Sequence, residues 1–456
     1  MINSLDDTIS AIATVIGTGG VSIIRLSGKN AENILSAIFF KNPDFEKPIL
    51  KPNSIVHGYI YDGKILLDEV VVLCFKAPNS YTGEDVFEIQ CHGGINVTKA
   101  IFDLTLQKGA RIADRGEFTK RAFINGKLDL SQAESVLDII SAKTKKFAQI
   151  SATNLCGKLA EKINEIRNKT IELLSRIVAA IDFPEEVEEP DYENIIKELE
   201  NIITEIDKIL SGAKNSNLMR QGVKIAIAGK PNVGKSSLFN SLLNYERAIV
   251  TDIAGTTRDI ISESIDINGI PATIIDTAGI REIENSNDSN KVENIGIEYS
   301  KRSIEDADAI IFVTDLSNNP TEEDNEIFNL IKDKKHIIAG TKSDLPQINN
   351  KYQNAIKISN ISKNGISELL KILSDILSQE ITYEDTDFLT NARQQEALEN
   401  AKKSLQNAIE SSKAHAEQDF IAIDVKSALM QLGEITGDDI TQEILNNIFE
   451  KFCIGK

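Results

Sequence analysis

The sequence lacks a positive charge balance: its formal net charge is −19. A general nucleic-acid coat needs the opposite sign, because affinity for a polyanion comes from neutralising phosphates with Lys and Arg. Any RNA contact is therefore local, shape-specific or shared with a partner. The basic run Arg111, Arg115, Lys120, Arg121 and Lys127 is one local candidate, with a solvated helix face as the alternative. The four cysteines, Cys74, Cys91, Cys156 and Cys453, share no CxxC pair and no metal-ligand spacing. That fits reduced thiols in a cytoplasmic protein. No basic segment followed by an apolar run stands at the N-terminus, so no signal peptide is expected. No apolar stretch is long enough to cross a bilayer, so no membrane partner is expected. Tryptophan is absent and aromatics are sparse.

What is present is ordinary globular composition, 41% hydrophobic and 26% charged, in a chain long enough for several domains. Residues 1–124 are mixed, with β-like runs at Gly20–Leu26, Val70–Phe75 and Val86–Gln90 and helical segments at Ala31–Ile38 and Ile95–Lys108. Residues 125–216 are helical. Apolar residues recur there at three-to-four spacing through Val136, Ile140, Phe147, Ile150, Leu155, Leu159, Ile163 and Ile166. After the turn Phe183-Pro184 to Pro190, a second helix carries Ile195, Leu199, Ile202, Ile206 and Ile209 on one face. Residues 217–379 alternate helices with apolar strands at Val223–Ala228, Ala272–Ile275, Ala309–Val313, His336–Ala339 and Ala355–Ile358. That alternation predicts a mostly parallel sheet covered on both faces. Residues 380–456 are helical again, so the simplest arrangement inserts the third block into a helical domain built from both flanks.

Gly229-Lys230-Pro231-Asn232-Val233-Gly234-Lys235-Ser236 matches GxxxxGK[ST] in full, after a strand and before a helix at Ser237. The glycines let backbone N–H groups converge on phosphate oxygens, and the helix N-terminus adds a favourable dipole. Lys235 is expected to reach the β- and γ-phosphates, and the Ser236 hydroxyl to ligate Mg²⁺. The loop alone says nucleoside triphosphate. Asp276-Thr277-Ala278-Gly279 after a second strand supplies a carboxylate toward Mg²⁺ and a γ-phosphate N–H. Thr341-Lys342-Ser343-Asp344 fits [NT]KxD, whose carboxylate accepts two hydrogen bonds that guanine offers and adenine does not. Their order, each at a strand end, points to GTP. Thr341 stands where Asn is commoner, which predicts a weakened brace of the loop. Ser359-Asn360 closes the base pocket through backbone N–H, with Asn360 where Ala is commoner. In Gly255-Thr256-Thr257-Arg258-Asp259, Thr257 is the candidate for the second Mg²⁺ hydroxyl, which makes the segment a switch.

Where Ras-type GTPases carry a water-orienting Gln, this chain has Ile280. Either the domain hydrolyses poorly or the catalytic group sits elsewhere, and the acidic stretch Arg281–Glu298, with Glu282, Glu284 and Glu293, offers candidates.

Taken together, Lys230-Pro231-Asn232, the run Thr251-Asp252-Ile253-Ala254-Gly255-Thr256-Thr257-Arg258-Asp259, Asp276–Arg281 and the terminal Cys453-Ile454-Gly455-Lys456 resemble the tRNA modification GTPases of the MnmE/TrmE family. The N-terminal block agrees in Asp7-Thr8-Ile9, Gly19-Gly20-Val21 with Arg25, Tyr81-Thr82-Gly83-Glu84-Asp85, His92-Gly93-Gly94 and Gly116-Glu117-Phe118-Thr119 through Asn125-Gly126-Lys127-Leu128-Asp129. The resemblance spans the whole chain. It implies a multidomain α+β and α/β fold: an N-terminal tetrahydrofolate-binding and dimerisation domain (1–124), a discontinuous helical domain (125–216 and 380–456) and an inserted Ras-like G domain (217–379).

The resemblance also implies a homodimer through the N-terminal domain and G domains that dimerise on GTP binding. It implies K⁺ held by Asn232, Thr251, Ile253 and Thr256, where a cation offsets charge developing between the β- and γ-phosphates. Glu293, in Val292-Glu293-Asn294-Ile295-Gly296-Ile297, is then the water-orienting residue. A folate derivative, 5-formyl- or methylene-tetrahydrofolate, is expected on Arg25, Glu88, Lys127 and Lys456. With an FAD-dependent partner in a heterotetramer, such proteins install an aminomethyl or carboxymethylaminomethyl group at C5 of the tRNA wobble uridine. Cys453 is either a catalytic or acid/base thiol in that chemistry or a small buried apolar residue. His92 reads as structural or pocket-lining rather than as a metal ligand. Arg115 stands where the family usually has Pro, in contact with no implied ligand. An RNA-binding GTPase of ribosome assembly and a nucleotide switch whose chemistry lies in a partner are the alternatives.

Overall fold

Along residues 21–26 the burial alternates, with Ser22, Ile24 and Leu26 turned inward and Arg25 on the opposite face. That period of two marks a strand with one covered face. The computed structural model describes residues 7–187, 191–245, 262–276, 303–349, 351–378, 388, 390–438 and 440–456. Among these, the chain divides into two compact units.

The first unit combines residues 1–137, 155–168 and 429–456. Its sheet is built from β1 (Ile9–Ile12), β2 (Val21–Ser27), β3 (Phe39–Phe40), β4 (Ser54–Asp62), β5 (Ile65–Phe75), β6 (Val86–His92) and β7 (Arg111–Ile112). The strand order is β3-β4-β5-β6-β2-β1-β7. Neighbours pair antiparallel except β1 and β7. Helices Ala31–Ile38 and Ile95–Gln107 lay Ile34, Leu35, Ile38, Ile101 and Leu104 on Ile24, Leu26, Val72, Phe87 and Ile89. Each such side chain contributes roughly 1.5–3 kcal/mol by leaving water.

The second unit takes residues 138–154 and 169–428. Its sheet comprises β8 (Val223–Ala228), β9 (Ser262–Ile267), β10 (Ile270–Asp276), β11 (Ala309–Asp315), β12 (His336–Thr341) and β13 (Ile356–Lys357), in the order β13-β12-β11-β8-β10-β9. All pairings are parallel except the β9–β10 hairpin at one edge. β11 is buried at every position. Ile311 and Val313 pack on one face with Leu238, Leu242, Leu369 and Leu373, and Ile310 and Phe312 on the other with Ile331 and Tyr352. Burial on both faces is why this strand reads as a continuous apolar run. Helix Tyr192–Ser211 buries Ile195, Leu199, Ile202, Ile206 and Ile209, and it packs against Ala392–Lys413.

The mixed and alternating blocks follow the expected pattern, with differences. The helical periodicity after Ser131 resolves into helices Leu130–Ser141, Lys145–Leu155 and Lys158–Asp182. Gly157, at φ +92, turns the chain before the last of these. Strand β9 has no counterpart in the sequence reading, because Ser262-Glu263-Ser264-Ile265-Asp266-Ile267 carries charge through an edge strand.

Candidate functional sites

The phosphate loop leaves β8 at Gly229 and enters helix Lys235–Tyr245. A Cβ on Gly229 would stand 2.4 Å from the Val313 carbonyl, so glycine alone lets the loop pass the end of β11. Gly234, at φ +100, and Asn232, at φ +63, turn the backbone over. Lys235 is nearly buried, and its Nζ donates to the carbonyls of Gly229 and Lys230, each at 2.8 Å. The ammonium therefore lies over the loop itself. Asn232, Ser236 and Ser237 are exposed. Lys230 Nζ anchors the rim on Asp324 Oδ2 at 2.7 Å. Asp276 ends β10 opposite Ile227 of β8, which brings the two strand ends side by side.

At the end of β12, Thr341 is fully buried and donates its hydroxyl to the Val233 carbonyl of the phosphate loop. Thr341 stands where Asn is commoner, and its hydroxyl reaches the loop carbonyl directly. Lys342, at φ +55, donates to Asp315 Oδ2 at 2.7 Å. Asp315 also accepts from the Ser317 N–H, the Ser317 hydroxyl and Asn318 Nδ2. Burial works against its charge, yet these donors, led by Lys342, hold the carboxyl at about 2. Asp344 is exposed at the rim. The Ser343 N–H donates to the Ile358 carbonyl at 3.2 Å, which ties this turn to the segment holding Ser359 and Asn360. Asn360 Oδ1 accepts from the Ser241 hydroxyl on the helix after the phosphate loop.

A second cluster forms in the first unit. Arg25 and Glu88 are register partners in the β2–β6 ladder. Arg25 Nε donates to Glu88 Oε1 at 2.8 Å, and Nη1 donates to the Gly455 carbonyl at 3.3 Å. The guanidinium lies 5.6 Å from the Tyr81 ring centre and 5.5 Å from that of Phe118. Burial pushes the Tyr81 phenol up, and its oxygen sits 2.9 Å from Thr119 Oγ1. The C-terminal residues seat on this domain. The Gly116 N–H donates to the Cys453 carbonyl, and the Phe118 N–H donates to the Lys456 carbonyl. Gly455, at φ +94, approaches β1 so closely that a Cβ would stand 2.6 Å from the Ile12 carbonyl. Lys127 Nζ donates to the Pro78 carbonyl at 3.0 Å, on the loop that delivers Tyr81.

The family model for the MnmE helical domain matches residues 130–453, and that for the GTP-binding protein TrmE N-terminus matches residues 8–127. The tRNA modification GTPase MnmE of Thermoanaerobacter pseudethanolicus (strain ATCC 33223 / 39E) is 44% identical over 464 residues, 99% of each chain. That of Clostridioides difficile (strain 630) is 44% identical over 462 residues, 99% of this chain and 100% of its own. The chain belongs to the MnmE/TrmE family.

Its fold class is accordingly multidomain: the TrmE N-terminal α+β domain, helical segments and a Ras-like α/β G domain. Era from Aquifex aeolicus, solved with GDP·AlF4⁻, is similar over 40% of this chain and 66% of that one, at 29% identity and a TM-score of 0.27. The G domain of the Thermotoga maritima FeoB iron transporter is similar over 34% and 98%, at 26% identity and a TM-score of 0.25. Among the described residues of this MnmE/TrmE member, no helix is long and apolar enough to cross a membrane.

Several expected site residues lie outside the described residues: Thr251, Asp252, Ile253, Ala254, Gly255, Thr256, Thr257, Thr277, Ala278, Gly279, Ile280 and Glu293. Cys453 is exposed, which removes the alternative of a buried apolar filler. His92 is exposed, with Nδ1 2.7 Å from Asp68 Oδ1. At Arg115, the tail bridge is held by the N–H of Gly116, so the preceding position needs no donor there. A Pro-to-Arg change leaves that contact intact.

The basic run requires correction. Arg121 is 1% exposed, so it is neither a solvated face nor an RNA contact. Its Nη2 meets Asp7 Oδ1 at 2.6 Å and Glu117 Oε1 at 2.9 Å, and its Nη1 meets Glu84 Oε1 at 3.1 Å. Arg111 completes the network through Asp7 and Glu117. Burial alone would raise the Glu117 carboxyl, but hydrogen bonds from Arg111, the Asp114 amide and Arg121 outweigh it and hold it below its usual range. The sequence signal for part of this is the Glu117–Arg121 spacing of four on one helix. Asp7 and Glu84 join from distant segments and carried no such signal.

Proposed function

We propose that this chain hydrolyses GTP and uses the cycle in tRNA modification, adding with an FAD-dependent partner a (carboxymethyl)aminomethyl group to C5 of the wobble uridine. Relatives that match along the whole chain are tRNA modification GTPases. The observation that carries the nucleotide reading is the Thr341–Val233 hydrogen bond, which fastens the base-reading strand end to the phosphate loop.

In this reading Asn232, Val233, Gly234, Lys235, Ser236 and Ser237 cradle the phosphates. Lys235, now on two loop carbonyls, is the cation available to phosphate oxygens. Asp344 reads the guanine edge, with Thr341, Lys342, Ser359 and Asn360 framing the pocket. Ser236 and Thr257 would hold Mg²⁺. Of the implied K⁺ ligands only Asn232 lies among the described residues, and its exposed, left-handed position on the loop suits a ligand.

The Arg25 cluster fits a folate derivative. A guanidinium paired with Glu88 and 5.6 Å from the Tyr81 ring centre offers a charged group beside an exposed aromatic ring. Folate supplies a one-carbon unit when bound. Here Arg25, Glu88, Lys127 and Lys456 would orient it, and Cys453, whose thiol is exposed, would serve as the catalytic or acid/base thiol. A homodimer through the N-terminal domain, acting in the cytoplasm, completes the proposal.

The test is GTP turnover in K⁺ against Na⁺, followed by mass spectrometry of tRNA nucleosides after incubation with the flavin partner. K⁺-stimulated turnover and a modified wobble uridine are expected. Equal rates in both salts would remove the potassium assignment, and unmodified tRNA would remove the pathway.

A further inference from the structure

The space over Gly234 is shared by two side chains from different loops. A Cβ there would lie 3.6 Å from Asn360 Nδ2 and 3.6 Å from Thr341 Cγ2. Thr341 and Asn360 therefore both border the glycine of the phosphate loop. Their hydrogen bonds divide the work. A threonine hydroxyl has one proton. With Val233 and Thr314 carbonyls both in reach, that proton is committed to one of them, on the side of β11 and the phosphate loop. Nothing in a hydroxyl remains to donate toward the segment 358–360. That segment is fastened from its own side, where Asn360 Oδ1 accepts from Ser241 Oγ at 3.3 Å on helix Lys235–Tyr245.

We propose that Asn360 is a positioning residue for the purine: its side-chain amide ties the base-closing loop to the phosphate-loop helix and takes the place of a carboxamide that Thr341 does not have. The pair works as an exchange. A carboxamide at 341 could brace both the phosphate loop and the neighbouring loop, and then Ala suffices at 360. With Thr at 341, the amide on the other loop completes the frame. This inference rests on the GTP-binding reading above and adds a role for the side chain of Asn360, beyond its backbone N–H.

The experiment is a double-mutant cycle on the full chain, read by displacement of a fluorescent GDP analogue. Asn360→Ala is expected to weaken GDP about fivefold, one net hydrogen bond, mostly through faster dissociation. Ser241→Ala should reproduce that loss. Thr341→Asn on the Asn360→Ala background should recover affinity to within about twofold of wild type. A residue with a merely structural role would not be rescued this way. An Asn360→Ala protein with unchanged GDP dissociation overturns the proposal, as does a double variant whose losses only add. A wild type that binds no guanine nucleotide overturns the functional reading and this inference with it. A wild type that binds GDP while Asn360→Ala is unchanged removes the inference alone.

Discussion

Arg25 and Glu88 stand directly opposite each other in the β2–β6 ladder, and the carbonyl of Gly455, from a distant segment of the chain, accepts a further hydrogen bond from the guanidinium. Backbone register places the pair, since opposed side chains on one face of an antiparallel ladder lie within contact distance. Three segments distant in sequence thus converge on one cation. Arg25→Ala should abolish binding of 5-formyltetrahydrofolate in calorimetry. Glu88→Gln, which leaves the guanidinium partly unpaired, should weaken binding by about 1–3 kcal/mol. Heat of binding that is unchanged in Arg25→Ala would move the ligand elsewhere.

The buried network around Arg121 makes an acid-stability prediction. Asp7 and Glu117 are both held below the usual carboxylate range, burial being outweighed by Arg111 and Arg121 and, at Glu117, by the Asp114 amide as well. A depressed carboxyl contributes stability that is full above its unfolded value and lost as pH falls through the folded one. Unfolding midpoints should therefore be flat from neutrality down to about pH 5 and drop as acid is added below the ordinary range of free carboxyls, about pH 4. Arg121→Met removes the cation and leaves Asp7, Glu84 and Glu117 crowded. It should cost about 3–5 kcal/mol at pH 7 and show a shallower acid limb, because the carboxyls then gain by protonation. Urea unfolding between pH 3 and pH 8 separates these outcomes.

How far the sequence discloses this molecule depends on the range of each signal. The β8, β11 and β12 strands are legible because burial on both faces makes them continuous apolar runs. Gly229 through Ser236 is legible because strand, loop and helix are contiguous. The edge strand β9 is not, since charged residues on a half-solvated strand mimic a loop. Nor is the depth of Arg121, whose partners Asp7 and Glu84 sit far from it in the chain. A basic residue among basic residues reads as surface until its distant carboxylates are known. The aromatic walls around Arg25 illustrate the same limit, because Phe118 turns toward it only through the fold.

Turnover tests Glu293 independently of its geometry. Glu293→Ala at saturating K⁺ should slow GTP hydrolysis by at least 100-fold, about 2.7 kcal/mol of barrier, with GDP affinity unchanged. A rate within about threefold of wild type, under 1 kcal/mol, would exclude it as the group that orients water.

Gly455 offers the sharpest test of the seated tail. Its φ of +94 disfavours any side chain, and an added Cβ would meet the Ile12 carbonyl at 2.6 Å, a backbone atom of a paired strand that cannot move aside. Gly455→Ala should therefore displace the tail and cost about 1–3 kcal/mol where strain and contact combine. The Gly116 and Phe118 amides, which donate to the tail carbonyls, should then lose protection from hydrogen exchange. Because Arg25 would lose the Gly455 carbonyl as a partner, folate affinity should fall in the same variant. Intact protection at both amides would mean that the tail is held by Phe452 and its buried neighbours rather than by the close approach at Gly455.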